Sequence, residues 1–175
     1  MYIWVLSHLK ITYLNDSVKY GISNSLVGIA IGLHTTTRND SYYLFIYILP
    51  ISFFITSVLF WKLFVDGRIL KVESKRNKVV FTGFLTGFIS HPISFIVLYI
   101  IGNIAYWLPF IDNYNIIDSP VNLINMLISS FILSIFSLIM YGWITIPSAI
   151  ILGILLDKLS KRTTKHTLWI VLSNN

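Results

Sequence analysis

Long uncharged, apolar runs alternate with short charged segments along this chain. Residues 42–61, 79–110 and 121–156 contain no acid or base, and His91 is the only side chain in the second run that titrates near neutral pH. A helix needs roughly 20 apolar residues to cross a bilayer whose hydrocarbon core is about 30 Å thick. The pattern therefore predicts an all-α fold, a polytopic integral membrane bundle.

The first quarter of the chain carries more polar residues than the rest. Residues 1–16 mix apolar and polar side chains over too short a length to span, so we predict an interfacial segment there. Residues 17–36 contain small residues at i, i+4, i+7 and i+11, which are Gly21, Ser25, Gly28 and Gly32. Small residues let helices approach closely in lipid, so we predict that this segment is a first span. The alternative is a flexible soluble segment, which leaves three spans.

Three further spans are predicted at residues 42–64, 79–101 and 122–147. Residues 148–156 continue the last apolar run, and residues 157–175 form a basic tail. The third span repeats the small-residue spacing of the first, with Gly83, Gly87, Ser90 and Ser94. Helices that carry such stripes are candidates to pack on each other, although the spacing does not name the pairs.

Prolines interrupt the predicted spans. Pro50 is expected to kink the second span, because proline removes a backbone donor and clashes with the preceding turn. The last uncharged run is too long for one straight span, so we expect an interruption between Gly142 and Pro147.

A short internal match accompanies these prolines. Residues 83–86 (Gly-Phe-Leu-Thr) and 142–145 (Gly-Trp-Ile-Thr) share a pattern, and a proline follows each. Matched interrupted helices form the binding site of many transporters. Such a match also arises easily by chance, so the repeat is one of two interpretations.

Composition and charge agree with a membrane protein. Only 11% of the residues are charged, against roughly 25% in soluble domains. The net charge of +6 is concentrated in the loop 66–78 and the tail, as the positive-inside rule predicts for cytoplasmic segments. We therefore predict a cell inner (plasma) membrane protein with both termini and this loop in the cytoplasm. Its expected partner is a bilayer with anionic headgroups, not nucleic acid. The bases that face the headgroups are Lys71, Lys75, Arg76, Lys78, Lys158, Lys161 and Arg162.

His91 is the sharpest candidate for a functional side chain. An ionisable residue within a span is a functional-site hypothesis by default. It precedes Pro92, which frees a backbone carbonyl, and Thr86 and Pro147 complete the set of candidate intramembrane residues. The alternative is a neutral imidazole that joins two helices by hydrogen bonds. We favour this alternative, because all seven acids lie outside the apolar runs and proton or cation carriers normally keep a carboxylate in the membrane.

Enzymatic chemistry has little support in the sequence. The chain has no cysteine, and its histidines, His8, His34, His91 and His166, are far apart and without the spacing of a zinc site. No serine lies in a Gly-x-Ser-x-Gly motif. We therefore expect neither an enzyme nor a bound metal or cofactor.

Two functions remain open at this point. The first is a protein that acts by helix–helix contact, through its small-residue stripes, with a membrane partner or with a second copy in a homo-oligomer. In size and layout such a chain resembles the immunity proteins that protect bacteria from pore-forming colicins, which implies an immunity-like or accessory role. The second is a small oligomeric transporter or channel subunit, in which His91 and the proline-broken helices line a path.

Overall fold

The computed structural model describes residues 15–38, 43–67, 74–107 and 120–173. All regular structure in these residues is helical, which confirms the predicted all-α fold. Residues 1–14 of the predicted interfacial segment, residues 68–73 of the basic loop and the loop near residue 115 lie outside the described residues.

Four helices follow one another. Helix α1 is Asp16–Arg38, and α2 is Phe45–Phe60. Helix α2 continues without a break into a π-helical segment, Trp61–Asp66. Helix α3 is Lys75–Trp107, and α4 is Leu123–Ser173. Among the described residues, α2 with its π-helical segment, α3 and the part of α4 up to Ser160 are long and apolar enough to cross a membrane. The protein is therefore embedded in a membrane.

The helices form an up-down-up-down bundle. Helix α1 packs along α2, and α3 packs along α4. The two pairs meet mainly between α2 and α3, and less extensively between α1 and α4. We refer to these units as the α1–α2 pair and the α3–α4 pair.

Polar contacts gather the helix ends at one end of the bundle. Ser160 Oγ donates to Asp16 Oδ2 at 2.9 Å, which joins α4 to the start of α1. Lys75 Nζ lies 3.0 Å from Asp157 Oδ1, which joins the start of α3 to α4. Asp66, the last residue of the π-helical segment, lies within electrostatic reach of Asp16 and Lys75. We call this the charged end.

The expected interruption of the last span is wrong, because α4 runs without a break through Gly142 and Pro147. Within a helix, proline removes one backbone donor but does not end the helix when its neighbours supply compensating contacts. The helices also extend beyond the predicted spans. Helix α3 continues to Trp107, and α4 remains helical from the apolar continuation through the tail to Ser173.

The interior of the bundle combines many small polar side chains with apolar ones, whereas its outer surface is largely apolar. Ser52, Thr56, Thr82 and Thr86 are fully buried. Many large apolar side chains are exposed, including Phe131 at 66%. Buried hydroxyl groups can hydrogen-bond across or along helices in lipid, where exposed apolar side chains carry no penalty. This distribution fits a protein whose surrounding solvent is hydrocarbon.

Candidate functional site

His91 lies at the centre of the α3–α4 pair and is only 3% exposed. Its Nδ1 atom is 2.7 Å from Ser137 Oγ, and its Nε2 atom is 3.0 Å from Thr145 Oγ1. Both partners belong to α4, and they stand two helical turns apart. The imidazole therefore joins α3 to α4 at two points.

Both partners of His91 are hydroxyl groups, which can donate or accept a hydrogen bond. Thr145 Oγ1 also lies 3.4 Å from the carbonyl oxygen of Gly87 and 3.5 Å from that of Gly142. Either neutral tautomer of the imidazole is compatible with these neighbours. The arrangement can therefore exchange donor and acceptor roles without moving a helix.

A cavity of about 250 Å³ adjoins His91 and is bounded by residues of all four helices. Its polar lining residues are His91, Thr35, Ser94, Ser137, Tyr141 and Thr145. Its apolar lining residues are Ile31, Phe45, Leu49, Phe53, Phe95, Leu133, Phe136 and Met140. The cavity is therefore mainly apolar, with the imidazole and several hydroxyl groups in its lining.

A larger groove of about 890 Å³ follows the seam between α1 and α4. Its walls include Leu26, Ala30, Trp143 and Ile144. The groove and the cavity share three lining residues, which are Ile31, Met140 and Tyr141. The two spaces are therefore neighbours with a common wall.

Tyr141 occupies this common wall and is held there by α1. Thr35 Oγ1 donates to the Tyr141 hydroxyl at 3.3 Å. The rings of His34 and Tyr141 meet edge to face, with centroids 6.2 Å apart. Nothing in the sequence distinguishes this residue from the other tyrosines, because the chain has ten of them.

The other candidate intramembrane residues do not gather around His91. Thr86 is fully buried and lies beside the Tyr20 hydroxyl, which donates to the carbonyl oxygen of Ala149 at 3.0 Å. Pro92 is partly buried within α3, and Pro147 is on the exposed face of α4. Neither proline lines the cavity.

The stripe of α1 packs against α2. A Cβ atom at Gly28 would lie 2.9 Å from the backbone of Leu49 and Pro50, and one at Gly32 would lie 2.8 Å from the Phe45 carbonyl oxygen. At Gly21 a Cβ atom would meet the side chains of Val58 and Phe54. The fourth member of the stripe also reaches α2, because Ser25 Oγ lies 3.1 Å from the Pro50 carbonyl oxygen.

The stripe of α3 packs against α4 in the same manner. Cβ atoms at Gly83 and Gly87 would each lie 2.6 Å from a backbone Cα atom, those of Ile150 and Ile146. The two serines that end the stripe are buried and bond within α3. Ser90 Oγ donates to the Gly87 carbonyl oxygen, and Ser94 Oγ donates to that of Ser90. Both stripes are thus engaged inside the chain, each with the helix that follows it.

The two halves of the proposed repeat have different surroundings. Gly83 faces the backbone of α4, whereas a Cβ atom at Gly142 would meet only the Leu138 side chain of its own helix, at 3.3 Å. The match between residues 83–86 and 142–145 therefore does not correspond to equivalent packing positions.

The described residues include no group of three or more His, Cys, Asp or Glu side chains that could hold a metal ion. No family model, no curated protein and no solved structure matches this chain. The arrangement of its side chains is therefore the basis on which a function can be proposed.

Proposed function

We propose that this chain is a multi-pass protein of the cell inner membrane that spans the bilayer four times. In this arrangement α1 crosses the bilayer in addition to α2, α3 and α4, and the basic loop and both termini lie in the cytoplasm. Arg76 and Lys158 are exposed at the charged end. Under this proposal anionic headgroups bind these two residues together with Lys71, Lys78, Lys161 and Arg162. Lys75 also contacts Asp157 in this region.

The exposed face of α1 supports its assignment as a span. Ile22, Leu26, Ile29 and Leu33 follow one another at i, i+4, i+7 and i+11, and all are exposed. The polar side chains of Ser17 and Asn24 are fully buried on the opposite side. A helix of 23 residues is about 35 Å long, which is enough to cross the hydrocarbon core.

Single-cysteine labelling tests this topology, since the native chain has no cysteine. We expect cysteines at Asn15, Lys75 and Lys165 to be protected from a membrane-impermeant reagent in intact cells. Cysteines at Arg38 and Asn115 should react. A reactive cysteine at Asn15 would remove α1 from the spans.

Within this membrane location, we propose that the protein acts by helix–helix contact with a membrane partner, in an immunity-like or accessory role. One observation carries this proposal: the half of α4 far from the charged end has no neighbour on most sides among the described residues. Phe131, Phe136 and Ile139 are each more than 60% exposed. Only 17% of the most apolar stretch of α4 is buried, against 44% for α2.

Helix lengths explain this exposure. Helix α3 has 33 residues and α1 has 23, so α3 is longer by about 15 Å. All four helices meet at the charged end, so the α3–α4 pair extends beyond the α1–α2 pair at the other end. There, α4 has α3 on one side and no described helix on the others. A partner's transmembrane helix can occupy the place that α1 and α2 leave open. The small-residue stripes are already occupied and do not provide this surface.

Photo-crosslinking in cells tests the contact. A photoreactive amino acid at Phe131 or Ile135 should give a discrete protein adduct. The same amino acid at Leu26, on the exposed face of α1, is the matched control and should give none. An adduct with twice the mass of the chain identifies the partner as a second copy. Equal yields at Phe131 and Leu26 would contradict a dedicated surface on α4.

A second candidate function is favoured by the cavity beside His91. A small oligomeric transporter or channel subunit needs polar groups beside a space at membrane depth, and the cavity places His91 and several hydroxyl groups in its otherwise apolar lining. Because Pro147 is exposed and Pro92 does not line this space, the path depends on His91 and its hydroxyl neighbours. In vesicles, His91→Ala should abolish flux or change its pH dependence without lowering the amount of protein. Unchanged flux would exclude this candidate.

A further inference from the structure

The groove and the cavity share a wall, and apolar surface makes up most of the lining of both. The groove follows α1 from Ser23 to His34, a distance of about 16 Å along the helix. The cavity beyond Tyr141 also carries the imidazole and the hydroxyl groups described above. A molecule that fills both spaces and uses these groups has an apolar chain and a small polar head.

The size and charge of the two spaces restrict that molecule further. A volume of about 250 Å³ corresponds to roughly eight water molecules, so the head must be small. Neither space is lined by Asp, Glu, Lys or Arg, so the described walls offer no permanent charge to balance a charged head. A phospholipid headgroup is both larger and charged.

The buried polar side chain of the site is His91. It is 97% buried, because only 3% of it is exposed, and its hydroxyl partners can exchange donor and acceptor roles. Ser137 and Thr145 line the cavity together with the imidazole. A head that both donates and accepts hydrogen bonds can join this network without leaving a buried group unpaired.

We propose that the groove and the cavity form one binding site for a single-chain amphiphile with a small uncharged head that donates and accepts hydrogen bonds. The chain lies between α1 and α4, and the head lies beside His91. The simplest ligand of this class is a long-chain alcohol. Because the seam between α1 and α4 is the less extensive junction of the two pairs, the ligand enters sideways from the bilayer and not from water.

This inference uses the cavity of the second candidate function but does not need transport. Binding is measured without a gradient, so a loss of binding and a loss of flux are separate results. If the protein binds the amphiphile but transports nothing, the proposed binding site stands and the transporter function is excluded.

The test is photolabelling of the full chain in phosphatidylcholine nanodiscs with a diazirine analogue of hexadecanol. Mass spectrometry should place the label on residues 140–144 of α4 or 26–34 of α1. Ala30→Trp fills the groove from an exposed position and should reduce labelling at least tenfold. Leu33→Trp is the matched control, because Leu33 is exposed on the same helix and lines neither space. It should change labelling less than twofold.

Two further probes examine the head. A diazirine analogue of hexadecane, which has no head, should label at least fivefold less than the alcohol. Tyr141→Phe removes a hydroxyl group from the common wall. It should reduce the difference in labelling between the alcohol and the alkane. Equal labelling by the alkane and the alcohol would overturn the site. Equal labelling by a palmitate analogue at pH 7.5 would overturn the uncharged head.

Discussion

The α1–α2 pair and the α3–α4 pair both pack through glycines at a close helix contact, but their helices differ in length. In each pair the first helix presents glycines to the backbone of the second, near Pro50 in α2 and near Ile146 in α4. Helix α1 has 23 residues, whereas α3 has 33. The comparison shows that a small-residue stripe identifies a tightly packed helix pair but not an external partner. The surface that we propose for a partner lies where the longer pair continues with no described helix of the shorter pair beside it.

The largest expected effect is at Gly87, in the longer pair. In Gly87→Ala the new Cβ atom would lie 2.6 Å from the Cα atom of Ile146, and backbone cannot move aside without separating α3 from α4. We expect a loss of about 1–3 kcal/mol in the free energy of unfolding, measured by SDS titration in mixed micelles.

Gly142→Ala is the control for this prediction. Its Cβ atom would meet only the flexible Leu138 side chain, and alanine favours a helix over glycine by about 1 kcal/mol. We expect the stability to be unchanged or higher. Equal losses of stability in Gly87→Ala and Gly142→Ala would contradict the conclusion that close backbone approach makes Gly87 more sensitive than Gly142.

The next effect tests whether the shorter pair is equally tight. Gly28→Ala places a Cβ atom 2.9 Å from the backbone of Leu49 and Pro50, so we expect a loss of about 1–2 kcal/mol. Gly21→Ala meets only the side chains of Val58 and Phe54, which can shift, and should cost less. The same SDS titration measures both variants. A greater loss in Gly21→Ala would show that side chains, and not backbone approach, limit this pair.

A smaller effect is expected at His91, whose side chain joins the two helices of the longer pair. His91→Phe keeps a ring but removes the hydrogen bonds to Ser137 and Thr145. Interhelical hydrogen bonds in membranes contribute about 0.6 kcal/mol each on average, so we expect a loss of about 1 kcal/mol. A double-mutant cycle with Ser137→Ala isolates the first contact. A coupling energy of zero would mean that the 2.7 Å contact does not stabilise the fold.

The smallest effect is expected at Ser25. Its hydroxyl lies near the carbonyl oxygens of Gly21, in its own helix, and Pro50, in α2. Ser25→Ala removes this contact with α2 and should cost about 0.6 kcal/mol. Ser23→Ala is its control, because the Ser23 hydroxyl donates only to Lys19 within α1. The two variants should differ in unfolding by SDS, and identical curves would contradict a contribution from the link.

The helices and their small faces could be predicted because both depend on local pattern. Uncharged runs determine where a chain can enter lipid. The spacing of Gly83 and Gly87 determines which face of α3 consists of small residues. The partner of each face could not be predicted, because Ile146 and Ile150 are ordinary apolar residues in a run of similar ones. A contact between distant segments leaves no periodic signal in either one.

The site was predictable only in part for the same reason. His91 stood out as the lone histidine of an apolar run, and hydrogen bonding to a neighbouring helix was the favoured interpretation. Ser137 and Tyr141 belong to the cavity only because α3 and α4 align them with His91. The interruption predicted near Pro147 was wrong, because this proline lies inside a continuous helix. The π-helical segment that ends α2, with its buried Trp61, also has no marker in the sequence.

The glycine contacts within each pair have a consequence for biogenesis. They join segments that emerge consecutively from the ribosome, so each pair can close as soon as its second helix enters the membrane. The final step is then the association of two preformed units. A gene divided within codons 68–73 and expressed as two fragments should reconstitute the complete protein, because neither unit depends on the other for its tightest contacts.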